Sequence, residues 1–296
     1  MIEICEADGM KESVLKKIEL GYEGFSKGQK AIANYITEHY ERAAYMTAAK
    51  LGQLADVSES TVVRFACELG FGGYPEFQKS LRELVRTNLT SFQRVEVSDS
   101  IIGDKDILTQ VILADAEKLR HTIDTIDRKA FEDAVDRIIS AKRIYILGVR
   151  SSATLAGFLY YNLQMAFDNL TLVQTTSGSE MLEQIMRIDK DDVMIAISFP
   201  RYSKRIIKAV EFAKRQGANV VALTDSDASP IAQGADQLLT ASSDMASFVD
   251  SLVAPMSIIN AIAVSVAKKK KEELTVRLKT LEEIWDEYDV YDKNHE

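Results

Sequence analysis

Residues 46–71 read MTAAKLGQLADVSESTVVRFACELGF, and two short groups of apolar residues at helical spacing stand out of them. Leu51 and Leu54 form the first group, and Val62 and Phe65 the second. Gly52 offers the small contact that lets two helices meet closely. Asp56 suits a turn, Val57 can plug the gap beneath it, and Ser58 is a natural N-cap for a second helix. The pattern predicts a helix-turn-helix with Leu51, Leu54, Val62 and Phe65 facing inward. Glu59, Ser60, Thr61, Val63 and Arg64 are left facing outward near the start of the second helix.

That outward chemistry suits a duplex groove, which the second helix of such a motif enters. Arg64 can donate two hydrogen bonds to guanine or pair with phosphate. The hydroxyls of Ser58, Ser60 and Thr61 can bond phosphate where the helix dipole favours anions. Lys50, Lys79, Arg82 and Arg86 are available for backbone contacts. Glu59 repels phosphate and helps only by accepting from cytosine. The predicted DNA-contacting set is Lys50, Ser58, Glu59, Ser60, Thr61 and Arg64. A packing hairpin with no partner gives the same pattern.

Helical spacing continues outward over about residues 24–86, through Ile32, Tyr35 and Ile36. It fades over 87–104 (TNLTSFQRVEVSDSIIGD), where Ser, Thr, Asn and Asp cluster. From 105 it returns through Ile107, Val111, Ile112, Leu119 and Ile123. Then short apolar runs at 144–147, 170–173, 193–197, 220–223 and 238–239 alternate with helical stretches at 153–165, 180–187, 204–216 and 230–234. Apolar strands alternating with helices predict a parallel sheet covered on both faces. The run 252–267 is too short for a membrane span, contains Pro255 and Asn260, and reads as a buried helix. A last helix, 272–288, carries Leu274, Leu278, Leu281 and Trp285 on a stripe that the core or a partner must cover. The expected division is 1–88 helical domain, 89–104 linker and 105–296 α/β domain.

At 296 residues, 46% hydrophobic and 27% charged, the chain is long enough for two packed cores. Only 4 Pro and 14 Gly exclude collagen-like or low-complexity character. The net charge of −9 excludes a blanket polyanion binder. The acidity lies mostly beyond residue 90, and 24–88 holds 8 basic against 7 acidic residues. Cys5 and Cys67 form no pair at disulfide-framework or metal spacing, and His39, His121 and His295 suggest no metal site. No metal, cofactor or membrane partner is expected. The N-terminus has early acids and no long apolar run, so it reads as no signal peptide and a reducing cytoplasm fits.

In parallel sheets ligands bind beyond the carboxyl ends of the strands. One such end reads RIYILGVRSSATLAGF: Gly148 closes the strand, and Arg150, Ser151 and Ser152 open the next helix, where hydroxyls and backbone N–H groups can hold an anion. A second reads VMIAISFPRYSKRIIKAV: Ser198 ends the strand, and Pro200, Arg201, Tyr202 and Ser203 form the loop. Thr224, Asp225 and Ser226 end a third, and Thr176 and Ser177 lie in a further loop. Together they make a polar cradle for a small anionic, hydroxyl-rich molecule such as a phosphorylated sugar or sugar acid. Taken singly, each serine reads equally as a helix cap and each arginine as a solvated cation.

The strings QKAIANYI, LADVSESTVVRFACELGFGGYPEF, ILGVRSS, AISFPRYSK and SDASPIAQGADQLL together resemble the RpiR (MurR/RpiR) family of bacterial transcriptional regulators over about residues 20–265. The resemblance implies an N-terminal helix-turn-helix domain, all α, and a C-terminal sugar isomerase (SIS) domain, α/β, with a five-stranded parallel sheet flanked by helices. It implies a ligand-responsive DNA-binding protein, often a repressor, working on double-stranded operator DNA as a dimer or tetramer. It places a phosphosugar effector at the strand ends, where Ser151 or Ser152 match the first motif and Ser198 and Ser203 the outer hydroxyl positions of the second loop. Pro200 and Arg201 stand where that loop usually has serine and glycine, and Pro200 has no N–H to donate. The predicted effector set is therefore Gly148, Arg150, Ser151, Ser152, Ser198, Arg201, Tyr202 and Ser203. The rival expectation is a SIS-type sugar-phosphate isomerase, which needs a positioned base. Where isomerases of this fold commonly carry a glutamate the chain has Arg205, a permanent cation, leaving Glu180, Glu183 and His121 as candidate bases. No catalytic residue is assigned.

Overall fold

The computed structural model describes residues 14–88, 93–95, 106–175, 177–243 and 250–291, without the side chains of 86–88. The expected linker 89–104 lies outside the described residues except for 93–95, which are helical. Cys5, the Arg86 side chain, Thr176 and His295 also lie outside them. The described residues fall into two compact units: one of 14–88, 93–95, 106–111 and Asp250, the other of 112–175, 177–243 and 251–291.

The first unit contains α1 (Val14–Gly21), a 3-10 turn (Tyr22–Gly24), α2 (Lys27–Ala43), α3 (Ala48–Leu54), α4 (Glu59–Glu68) and α5 (Tyr74–Asn88). Ser26 and Gln29 start α2 with a reciprocal cap: the Ser26 N–H donates to Gln29 Oε1 at 2.8 Å, and the Gln29 N–H to Ser26 Oγ at 3.4 Å. Ile32, Ile36, Leu51, Val62, Phe65 and Phe77 are fully buried in one core. Phe65 stands at its centre, edge-on to Phe25 at 5.2 Å and to Phe77 at 6.1 Å. α1 precedes the predicted helical region and adds Val14 and Ile18 to that core. Leu54, predicted to face inward, is 43% exposed. Ala55, four residues on from Leu51, takes the inward place because α3 ends there.

α5 fixes the loop that carries α2 into α3. The Tyr74 hydroxyl and the Gln78 amide both donate to the Met46 carbonyl, at 2.8 and 2.5 Å, and Arg82 Nε donates to the Ala44 carbonyl at 3.0 Å. Arg82, a predicted phosphate contact, thus holds the loop beneath the turn. Burial pushes the Tyr74 phenol from 10.0 up to about 12. The folded value lies above the unfolded one, so this contribution to stability is fully present below pH 10 and is lost as the pH rises through about 12. Tyr74→Phe should lower stability at neutral pH and flatten its fall over that alkaline window, read by circular dichroism against pH. An unchanged alkaline profile would place its source elsewhere.

The second unit carries most of α6 (Ile107–Thr125), then α7 (Arg128–Ser140), β1 (Ile144–Gly148), α8 (Ser151–Leu163), β2 (Leu170–Val173), α9 (Gly178–Ile185), β3 (Val193–Ile197), α10 (Lys204–Arg215), β4 (Asn219–Thr224), a 3-10 turn (Ala232–Gly234), β5 (Gln237–Thr240), α11 (Val253–Lys269) and α12 (Lys271–Glu287). All five strands are parallel, in the order β2-β1-β3-β4-β5. Alternate strand residues serve opposite faces, as the pleat requires. Ile144, Ile146, Val193 and Ile195 pack with α7, α8 and α11, while Tyr145, Leu147, Met194 and Ala196 pack with α9 and α10. The central strands β1 and β3 are buried throughout and the edge strands β2 and β5 only in part. The predicted helix at 230–234 is only the 3-10 turn, bracketed by Pro230 and Gly234.

α11, predicted as a buried helix, buries one side through Ala254, Pro255, Ile258, Ile259, Ile262 and Val266 but leaves Val264 67% exposed, and no described helix is long and apolar enough to cross a membrane. α12 has no buried residue: Leu274, Leu281 and Trp285 are half-buried and Leu278 is exposed. It is tethered by Arg277, whose guanidinium donates to both Asp168 oxygens at 2.8 and 2.5 Å. That pairing holds the Asp168 carboxyl below its ordinary range.

Candidate functional site

Two places concentrate polar groups. The first is the turn between α3 and α4. Thr47 caps α3 by accepting from the Lys50 N–H at 3.2 Å. The Val57 N–H donates to the Gly52 carbonyl at 2.8 Å, and a Cβ on Gly52 would lie 2.8 Å from the Val57 carbonyl oxygen. Only glycine allows the turn to close this tightly. Asp56 takes the left-handed conformation (φ 54°) that completes it. Val57 is half-buried against the core, close to Gly28.

Ser58 caps α4 by accepting from the Thr61 N–H at 3.3 Å. Its hydroxyl also lies 2.9 Å from Ser60 Oγ and 2.8 Å from Thr61 Oγ1. Three hydroxyls therefore gather on the positive end of a helix dipole. Ser58, Glu59, Ser60 and Arg64 are exposed, and Thr61 is half-buried. Lys50 is exposed on α3 with its ammonium 3.2 Å from Oε1 of Gln53, its i+3 neighbour on the same helix. Val62 and Phe65 on the opposite face are fully buried, so the rotation of α4 about its own axis is fixed by packing.

The second place is the carboxyl end of the sheet. β1 and β3 are neighbours, yet β1 leads on to β2 at one side and β3 to β4 at the other. Such a switch point opens a crevice between the two connections. Gly148 and Ile197 lie side by side in register at its base, and Ile197 pairs with Leu223 on the far side. A Cβ on Gly148 would come within 2.3 Å of the Ser152 carbonyl oxygen, so this glycine alone lets α8 start so close to its strand. Ser151 is exposed, while Ser152 and Ser198 are only 5% and 4% exposed.

Arg150 and Arg201, one at each strand end, are exposed and hold positive φ of 57° and 66°. A non-glycine residue held so costs on the order of 1–3 kcal/mol, and such positions gather at ligand sites. Ser203 caps α10, accepting from the Arg205 N–H at 3.3 Å. The Tyr202 hydroxyl donates to Asp225, 2.8 and 3.0 Å from its two oxygens, joining the β3 and β4 loops. The Thr224 hydroxyl lies 3.0 Å from Asp225 Oδ1 and 2.8 Å from Ser229 Oγ. This Asp225 hub joins residues 23 apart in sequence, and no local pattern signals it.

The loop after β2 is tied up within itself. The Thr175 hydroxyl donates to the Glu180 carboxylate, and the Ser177 and Ser179 hydroxyls lie 2.8 Å apart. Glu183 is exposed on α9, His121 on α6 and Arg205 on α10. The arrangement can bind an anion through hydroxyls, helix N-termini and guanidinium groups.

Residues 12–87 match the family model described as a helix-turn-helix domain of the rpiR family, and residues 137–265 match that of the SIS domain. An HTH-type transcriptional regulator of Haemophilus influenzae is 29% identical over 232 residues, 77% of this chain and 79% of its own. The sugar isomerase domain of an RpiR transcription factor from Sphaerobacter thermophilus superposes with a TM-score of 0.58 at 28% identity, over 60% of this chain and 99% of that one. The NanR protein of Vibrio vulnificus, complexed with ManNAc-6P, superposes with a TM-score of 0.58 at 23% identity, over 93% of this chain and 98% of its own.

Proposed function

From the premise that this chain belongs to the RpiR helix-turn-helix family and carries a SIS domain, we propose that it represses transcription from a duplex operator and responds to a phosphorylated sugar or sugar acid. The observation that carries this reading is the start of α4. Ser58, Glu59, Ser60 and Arg64 stand in solvent on a helix whose other face is locked into a core. Two copies reading two half-sites offset by avidity the near-neutral charge of residues 24–88, 8 basic against 7 acidic. Binding to a cognate duplex should weaken steeply as salt rises, because phosphate contacts release counterions. Salt-independent retention, or none at any salt, would sink the DNA reading.

The effector sits at the switch point, its phosphate on the Ser152 and Ser198 hydroxyls and the starts of α8 and α10. The ManNAc-6P complex of the Vibrio vulnificus protein supports the class of ligand. Pro200 contributes neither hydroxyl nor N–H, and Arg201 takes over part of the anion grip from its left-handed position. Arg201→Ala combined with Ser203→Ala should weaken binding of the sugar phosphate at least tenfold by calorimetry. Wild-type affinity in the double variant would put the site elsewhere. The chain acts without turnover: Arg205 takes the place of a base, and Glu180 is occupied by Thr175. Its use of DNA and of a sugar phosphate places it in the cytoplasm.

A further inference from the structure

α4 is held at its far end by two polar side chains that stand outside the core. The helix closes on a glycine: the Gly70 N–H donates to the Cys67 carbonyl at 3.0 Å and the Phe71 N–H to the Ala66 carbonyl at 3.2 Å, with Gly70 in the left-handed region at φ 86°. The last carbonyls of a helix lie beyond the reach of its own N–H groups and carry the negative end of its dipole. The Lys17 ammonium, on α1, donates to one of them, that of Leu69, at 3.2 Å, and lies 4.4 Å from the centre of the Phe71 ring. One residue earlier, the Glu68 carboxylate accepts from the Gln29 amide at the start of α2. Gln29 Oε1 accepts from the Ser26 N–H, so this side chain is fixed on both sides.

These contacts do what the core leaves undone. Val62 and Phe65 set the rotation of α4 about its axis, and the close approach at Gly52 sets where it begins. Apolar contact is non-directional, so it fixes which face is buried more firmly than the tilt of the helix. α4 has ten residues and is about 15 Å long. A swing of about 2 Å at Glu68 carries Arg64, near the middle, through about 1 Å, wider than the window of roughly half an ångström in which a good hydrogen bond is made.

We propose that Lys17 and Gln29 are positioning residues for operator readout: from α1 and α2 they clamp the last turn of α4 and so keep Arg64 in register with the groove. The proposal rests on α4 being the readout helix. Neither side chain has to touch DNA. Lys17 lies 52 residues before Leu69 and Gln29 39 before Glu68, so no local pattern marks either.

The test uses the full chain with one duplex selected from a random pool and one scrambled, and follows amide hydrogen exchange without DNA. Lys17→Met keeps the stem and removes the ammonium. Gln29→Glu sets two carboxylates together and keeps the acceptor for the Ser26 N–H. Each should lower the ratio of selected to scrambled affinity about five- to tenfold, the size of one hydrogen bond, and speed exchange at the Leu69–Phe71 amides. Lys17→Arg should keep the wild-type ratio. Glu68→Gln added to Gln29→Glu restores the bridge with donor and acceptor exchanged and net charge unchanged, and should regain most of the lost ratio. A lower melting temperature with the ratio intact would make both residues merely structural and overturn the proposal. Equal losses on both duplexes, unchanged amide exchange, or a double variant no better than Gln29→Glu alone would overturn it too. A wild-type chain that prefers neither duplex would sink the readout itself, and the exchange rates, which need no DNA, tell that failure from failure of the clamp.

Discussion

Replacing Gly148 with alanine should destabilise the second unit by about 3 kcal/mol, the upper end for an overpacked site. The added methyl would lie 2.3 Å from the Ser152 carbonyl oxygen and 3.1 Å from Ala156 Cβ, and the first of these neighbours is backbone that no rotamer change can move. α8 would have to retreat from β1, carrying Ser151 and Ser152 away from the Ser198 loop. At roughly 2–4 °C per kcal/mol for a unit of this size, calorimetry should show a fall of about 6–12 °C. Effector affinity should fall with it. A melting temperature within a degree of wild type would mean that α8 has room to spare and that the cradle does not depend on this contact.

Arg64→Ala should weaken binding to a duplex selected from a random pool by roughly 5- to 150-fold, the range for losing one good base contact. Affinity for a scrambled duplex should change far less. Arg64 is exposed, so folding is untouched and the loss reads out recognition alone. Fluorescence anisotropy at one fixed salt concentration checks both arms. Equal losses on both duplexes would make Arg64 a phosphate contact and move base readout to Ser60 and Val63. Glu59→Gln should act oppositely and strengthen binding to any duplex by removing a repelling charge.

Most of the fold is written in local pattern. The turn of Gly52, Asp56, Val57 and Ser58 is legible because each place in it has one steric requirement that few residues meet. The strands are legible because short apolar runs stand between helical stretches: residues 193–197, buried and apolar throughout, match their predicted bounds, and so do 170–173 at the half-buried edge. Leu54 misleads because a seven-residue helix can end between two residues of the same apolar period. α6 misleads differently: its period is truly helical, but periodicity says only that a face exists, not which way it points. The polar anchors Asp115 and Thr122 reach Ser251 and Ser242, more than a hundred residues on, and no spacing rule connects them. At the strand ends, Gly148, Ser152 and Ser198 can be picked out by type and position. The left-handed backbone of Arg150 and Arg201 and the Tyr202–Asp225 link cannot, because they arise from loops meeting in space.

The most direct measurement is operator affinity with and without a saturating sugar phosphate, taken from a panel by its effect on thermal unfolding and confirmed to bind by calorimetry. Coupling between sites typically runs to 1–3 kcal/mol, so the dissociation constant for the selected duplex should change by about 5- to 150-fold. The change should vanish in a Ser152→Ala, Ser198→Ala chain that still binds DNA. A ligand that saturates the strand-end site and leaves operator affinity where it was would contradict the account.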